Sequence, residues 1–175
     1  MDGLQRVALI NVSDSKLAAK TGQGLGRLGY KVILTTGTEK SATDLRDQGL
    51  DTHFLRLDLS NRQAIGDIVC SLAEELGRID ALVADAQAQD NGIQGVSVLC
   101  SGVIRIMRDQ GYGRVALLAN AAPAKNFVNE ANDTNIKINT ICPSQDCVDK
   151  LIWLITLPDD GPSGNHYRSQ PSADD

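Results

Sequence analysis

The sequence predicts an α/β fold: a doubly wound parallel sheet of six or seven strands with helices on both faces, a three-layer sandwich. Three observations carry this. Short β-branched runs alternate along the chain with longer segments of helical period. Each strand run is nearly continuous in apolar residues rather than alternating, the mark of a parallel strand buried on both faces. No linker-like stretch interrupts the alternation, so a single domain is expected over 1–168, with a polar tail at 169–175.

The elements follow in order. The first strand run, 6–11, begins without the apolar stretch of a secretory signal, and a cytoplasmic compartment is the expectation. Gly29 precedes the second strand run, 31–36, and Gly49 closes the next helical segment before strand 52–57. Asp58, Ser60 and Asn61 then offer a cap for a helix whose stripe is Ile65, Ile68, Val69, Leu72 and Leu76, with Gly77 as its stop. Strand 81–84 leads to a second stripe, Val96, Leu99, Val103 and Ile106. After strand 114–119 comes a minimal crossover, with Pro123 near a helix start and Phe127 and Val128 facing inward. Strand 136–142 feeds the last stripe, Val148, Leu151, Ile152 and Ile155, and 164–168 is the candidate seventh strand. Right-handed crossovers then join these strands into one parallel sheet. Its core is expected to hold Val7, Leu9, Val32, Leu34, Leu55, Leu57, Leu82, Val115, Leu117, Ile138 and Ile141.

Composition narrows the function classes. Of 175 residues, 42% are apolar and 22% charged, ordinary for a globular domain. A net charge of −5 argues against a non-specific nucleic-acid or anionic-membrane surface, and 3% aromatic content leaves few stacking platforms. No apolar run approaches the roughly 20 residues that span a bilayer. Cys70, Cys100, Cys142 and Cys147 form no Cys-x-x-Cys pair, and only His53 and His166 join them, so no metal site is expected and the thiols read as reduced, mostly buried hydrophobes.

Several segments carry a resemblance. They are Arg6-Val-Ala-Leu-Ile10, Gly29-Tyr-Lys-Val-Ile-Leu34, and Gly49-Leu-Asp-Thr-His-Phe54 leading to Leu57-Asp58. Gly77-Arg-Ile-Asp-Ala-Leu-Val83, Gly111-Tyr-Gly-Arg-Val115, Asn135-Ile-Lys-Ile-Asn139, Cys142-Pro143 and the stretch from Trp153 to Gly164 continue the series. In this order and spacing they are similar to the short-chain dehydrogenase/reductase family, particularly its carbonyl-reductase-like members. The resemblance, with the crossover rule, implies an NAD(P)-binding Rossmann-like fold with strands in the order 3-2-1-4-5-6 and ligands at the carboxyl ends of the strands.

The positions that would carry that family's chemistry differ. Its phosphate-binding turn, Thr-Gly-x-x-x-Gly-x-Gly, falls on Asn11–Ala18, with Val12, Lys16 and Ala18 at the glycine positions and Asp14 adding a repelling charge. Gly22, Gly24 and Gly26 imitate a phosphate loop, but Arg27 stands where a third glycine belongs; close packing of the first helix on the sheet is the expected reason for them. Gly37 replaces the arginine that selects NADP. Asp58 matches the residue that contacts the adenine edge, and Ala86 alone survives of Asn-Asn-Ala-Gly after strand four, where the chain reads Ala84-Asp85-Ala86-Gln87. The family's catalytic serine aligns with Asn120, its lysine-positioning asparagine falls near Gly92, and no Tyr-x-x-x-Lys occurs anywhere. Three apparent deletions, after strands four, five and six, fall where the resemblance puts the site.

Two functional classes follow. One is a non-catalytic binding or assembly module with no cofactor, pairing with itself or a partner protein; the family's dimer contact points to the helix at 96–107, provided the sheet leaves part of its face free. The other is an enzyme of altered chemistry, a non-redox isomerase, cyclase or hydrolase using Asp14, Asp85 and Asn120 at the strand ends, or a weak NAD(P)-dependent oxidoreductase acting on a small carbonyl compound.

Overall fold

The computed structural model describes residues 5–36, 43, 52–87, 91–122, 125–132, 134–144 and 147–168. Seven strands form one all-parallel sheet: β1 (Val7–Asn11), β2 (Lys31–Thr36), β3 (His53–Arg56), β4 (Ala81–Asp85), β5 (Gly113–Leu118), β6 (Ile136–Ile141) and β7 (His166–Tyr167). Their order, β3-β2-β1-β4-β5-β6-β7, is the expected one, with the seventh strand at the far edge. The direction of travel across the sheet reverses between β1 and β4. Gly37, Gly49, Pro123 and the tail at 169–175 lie outside the described residues.

Among the described residues, the helices that cover the sheet are α1 (Ser15–Arg27), α2 (Arg62–Leu76), α3 (Asn91–Gln110), α4 (Lys125–Glu130) and α5 (Cys147–Ile155). Alternation along β1 shows how the layers divide. Val7 and Leu9 enter the core shared with α2, α3 and Phe127 of α4, whereas Ala8 and Ile10 enter the core shared with α1 and α5. The register sets Leu9 between Ile33 and Leu82, so each apolar layer runs unbroken across three strands. A side chain so enclosed contributes about 1.5–3 kcal/mol, which is why the near-continuous runs read as strands.

Ten of the eleven expected core residues are buried; Leu55 is only half-buried, because β3 closes the sheet edge and lacks a neighbour on one side. The α3 stripe is mostly used. Val96, Leu99 and Val103 are at most 3% exposed, as are Ile104 and Met107, all in the core shared with the sheet and α2, whereas Ile106 of the expected stripe and Val98 are half-buried. The cysteines are free, but Cys70 lies exposed on the outside of α2.

Local signals explain the helix ends, with two revisions. Gly77 takes the left-handed conformation (φ +72°) and returns its N–H to Ala73, as a stop residue should. The α2 cap is Asn61, whose Oδ1 accepts the Ala64 N–H; the Asp58 carboxylate folds back instead onto the Ser60 amide and hydroxyl. The first-helix glycines were expected to meet the sheet. Gly24 meets α5: a Cβ there would collide with the Ile152 side chain, while Gly26 has open space around it. Both helices share one face of the sheet, and Gly24 lets them close on each other.

The amino edge of the sheet carries a polar network. Asp80, with none of its surface exposed, accepts the Val7 N–H at 2.8 Å and the Arg78 Nε–H at 2.8 Å. Arg114, only 1% exposed, donates to the carbonyls of Leu157, Gly113 and Asn135 and to the Asp159 carboxylate, all within 2.9 Å. Its guanidinium also lies 4.3 Å from the centroid of the Tyr112 ring. Gln110 completes the edge, accepting from the Ile79 N–H and donating to the carbonyls of Ile79 and Tyr112.

Candidate functional site

In an open parallel sheet, ligands settle beyond the carboxyl ends of the strands where the order reverses, here between β1 and β4. Residues 11–18 form one wall. Asn11 ends β1 half-buried, its Nδ2 donating to Thr35 Oγ1 at 2.6 Å, which ties the strand end to β2. Val12 turns inward and is 9% exposed; Ala18 is 2% exposed. The chain then enters α1 through Asp14.

Asp14 is the N-cap of α1. Its Oδ1 accepts the backbone N–H groups of Lys16 (2.9 Å) and Leu17 (3.0 Å). The first-turn amides and the positive end of the helix dipole make a helix N-terminus an anion site. Here the chain's own carboxylate holds those amides. An aspartate just before a helical run is a strong cap signal, legible in Asp14-Ser-Lys-Leu-Ala18; the expectations for Asp14 as a repelling charge and as a candidate acid or base did not include this cap.

The opposite wall comes from β4. Asp85, half-buried, accepts a hydrogen bond from Ser13 Oγ at 2.5 Å and one from the Gln87 N–H at 3.0 Å. The Ser13–Asp85 bond spans the crevice at the reversal point and joins the two walls. Ala86 donates its N–H to the Leu118 carbonyl, closing β4 onto β5, and packs its methyl against the core. Asn120, exposed beyond β5, accepts from the Cys142 thiol at 3.4 Å. The thiol partner is a residue that sequence reasoning did not connect with the site.

The candidate residues therefore occupy one edge in separate sets. Ser13 joins Asp85, Asn120 joins Cys142, and Asp14 turns to its own helix. Asp58 lies beyond β3, exposed, its carboxyl held below the ordinary range by the Ser60 hydroxyl and then the Ser60 amide. Gly92 lies in the first turn of α3, after Asn91. Among the described residues, no three His, Cys, Asp or Glu side chains gather closely enough to hold a metal ion. No described helix is long and apolar enough to cross a membrane.

The fit to a dinucleotide is poor on these observations. A pyrophosphate at the α1 N-terminus needs the amides that Asp14 holds and the space that the Val12 and Ala18 side chains fill. It would also meet the carboxylates of Asp14 and Asp85; among the described residues of the turn Lys16 is the one basic side chain, and it is exposed. The residues present do not fit the group.

No family model matches the chain. A curated protein, cis-4-hydroxycyclohexanecarboxylate dehydrogenase of Sinomonas cyclohexanicum, is 29% identical over 85 residues, which cover 47% of this chain and 34% of that relative. The match thus spans about a third of the relative's length. Solved structures agree over a longer range. A metagenomic short-chain oxidoreductase in complex with NADP superposes with a TM-score of 0.76 at 17% identity, covering 97% of this chain and 99% of that one. Serine dehydrogenase from Escherichia coli gives 0.77 at 19%, with the same coverage. An actinorhodin polyketide ketoreductase with NADPH gives 0.71 at 15%, covering 94% and 95%. With the strand order above, these likenesses establish that the fold of this chain is that of the short-chain oxidoreductases.

Proposed function

We propose that this chain is a degenerate, shortened member of the short-chain dehydrogenase/reductase group that serves as a binding or assembly module rather than as an NAD(P)-dependent reductase. One observation carries the reading: the Asp14 carboxylate caps the helix N-terminus on which that fold lays a pyrophosphate. The Ser13–Asp85 bond across the same crevice supports it. So does the short β5–β6 connection, whose α4 is six residues long and has no tyrosine–lysine pair to donate a proton to a carbonyl.

The assembly partner is a second copy or another protein. With most of the apolar stripe of α3 buried, the contact is polar. A cleft of about 520 Å³ outside α3 and α4 is lined by Arg105, Arg108, Asp109 and Glu130 among others, both signs of charge that suit a self-complementary two-fold contact. Four free cysteines, two of them buried, favour a reducing compartment such as the cytoplasm.

The test is calorimetric titration with NADH and NADPH to millimolar concentration, beside light scattering on a sizing column. The module reading expects no saturable binding and a dimer whose population falls with added salt. Saturable binding in the low micromolar range would overturn it. A second reading, non-redox chemistry using Asp85, rests on the half-buried carboxylate and its bond from Ser13. It requires a turnover that Asp85→Asn abolishes.

A further inference from the structure

At the β7 border of the sheet, away from the reversal point, a second cavity of about 200 Å³ lies between α5 and β7. Its lining is Lys150, Trp153, Leu154, Tyr167 and Arg168. Trp153 is 46% exposed, and Leu28 is the one other large apolar side chain so open among the described residues. A lone exposed apolar side chain is ordinary; the company of this one is not. The Tyr167 ring stands edge-on to it, centroids 5.3 Å apart at 89°, which fixes the indole in place. Leu154 closes the cavity from the core side at 1% exposure.

Charge completes the description. Lys150 precedes Trp153 by one helical turn, and Arg168 follows Tyr167, so two cations flank an apolar wall. No acidic residue lines the cavity. The ion pairs among the described residues are Arg78–Asp80 and Arg114–Asp159, which leave Lys150 and Arg168 without a counter-charge there. An aromatic wall next to two uncommitted cations matches a ligand with an apolar ring and one negative group. The volume lies below the roughly 300–1,000 Å³ of drug-sized pockets, which suits one ring and one acid.

We propose that the cleft between α5 and β7 binds a small ring-bearing carboxylate, its ring against Trp153 and Leu154 and its carboxylate between Lys150 and Arg168. This does not depend on the reading of the crevice at β1 and β4.

Trp153 is the only tryptophan in the sequence, so its emission reports this cleft alone. The protein is titrated with phenylacetate and, separately, with acetate and phenylacetamide, which carry only the charge or only the ring. Phenylacetate should shift the emission saturably and bind about tenfold more tightly than either half, the order a charge-assisted contact supplies. The double variant Lys150→Met, Arg168→Gln should lose about tenfold in phenylacetate affinity and leave phenylacetamide unchanged. Both residues are exposed, so the core is untouched, and a melting curve checks that it is. Absence of saturable binding by emission and calorimetry overturns the proposal, as does wild-type affinity in the double variant. Heat of binding without a change in Trp153 emission puts the acid elsewhere and also overturns it.

Discussion

The two edges of the sheet are built in opposite ways. At the amino edge, Asp80 and Arg114 lie fully enclosed and bond to strand backbones and to loops far along the chain. At the carboxyl edge, Asp14, Ser13 and Asn120 are exposed: Asp14 bonds within its own helix, while Ser13 and Asn120 each make a single side-chain bond, to Asp85 and Cys142. A buried polar group is costly unless all its partners are in place, whereas an exposed one exchanges its partner for water. The amino edge is therefore scaffold. The carboxyl edge is where residues can change without unmaking the fold.

The sharpest way to break this comparison is to measure stability at both edges. Asp80→Ala strips the Val7 N–H and the Arg78 guanidinium of their acceptor, and Arg114→Leu removes the buried guanidinium that donates to the carbonyls of Leu157, Gly113 and Asn135. Each should cost about 3 kcal/mol in urea unfolding. Asp14→Ala should cost about 1 kcal/mol, the usual worth of a helix cap. Asp85→Asn should cost under about 1 kcal/mol, because its partner Ser13 faces water. Equal losses at the two edges would show that the carboxyl edge is scaffold as well.

Alkaline titration sharpens the same contrast. Burial raises the Tyr112 phenol above its ordinary value of 10.0, with Arg114 acting in the opposite direction. Below that value the phenol is neutral in both folded and unfolded chains. Above it, the unfolded chain ionises first, so stability should fall as pH rises from about 10 through the raised folded value. Tyr112→Phe should remove a late phase from the alkaline absorbance titration. Under acid the sign reverses: the Asp159 carboxyl is lowered by Asn135 and then Arg114, so the stability it adds is present at neutral pH and lost below its ordinary 3.8.

The smallest effect expected is in thiol labelling. Burial, aided by Glu130, pushes the Cys100 thiol up to about 12, and Cys147 is equally enclosed. At mildly alkaline pH, Cys70 should react first and Cys142, at the carboxyl edge, more slowly. Cys100 and Cys147 should react only on unfolding. Faster labelling of Cys142 in Asn120→Ala would tie its reactivity to the bond it makes across that edge.

Much of the architecture was legible in the sequence, because its signals are local. Apolar runs of five or six residues, stripes at three to four, and a glycine stop at Gly77 depend on neighbours in the chain, and each appears in the fold where it was read. Strand order came from the handedness of crossovers together with the resemblance. Contacts between distant segments were not legible. That Gly24 serves Ile152, that Ser13 reaches Asp85, and that Arg114 gathers carbonyls from two distant loops depend on register and helix placement. The same holds for Trp153 and Tyr167, an ordinary helix residue and an ordinary strand residue in sequence that become walls of one cleft. Sequence alone thus determined which segments form the sheet and that the turn after the first, Asn11 to Ala18, holds no glycine. Only the tertiary structure decided what now occupies that turn, because a carboxylate's partner is chosen by the geometry of the amides around it.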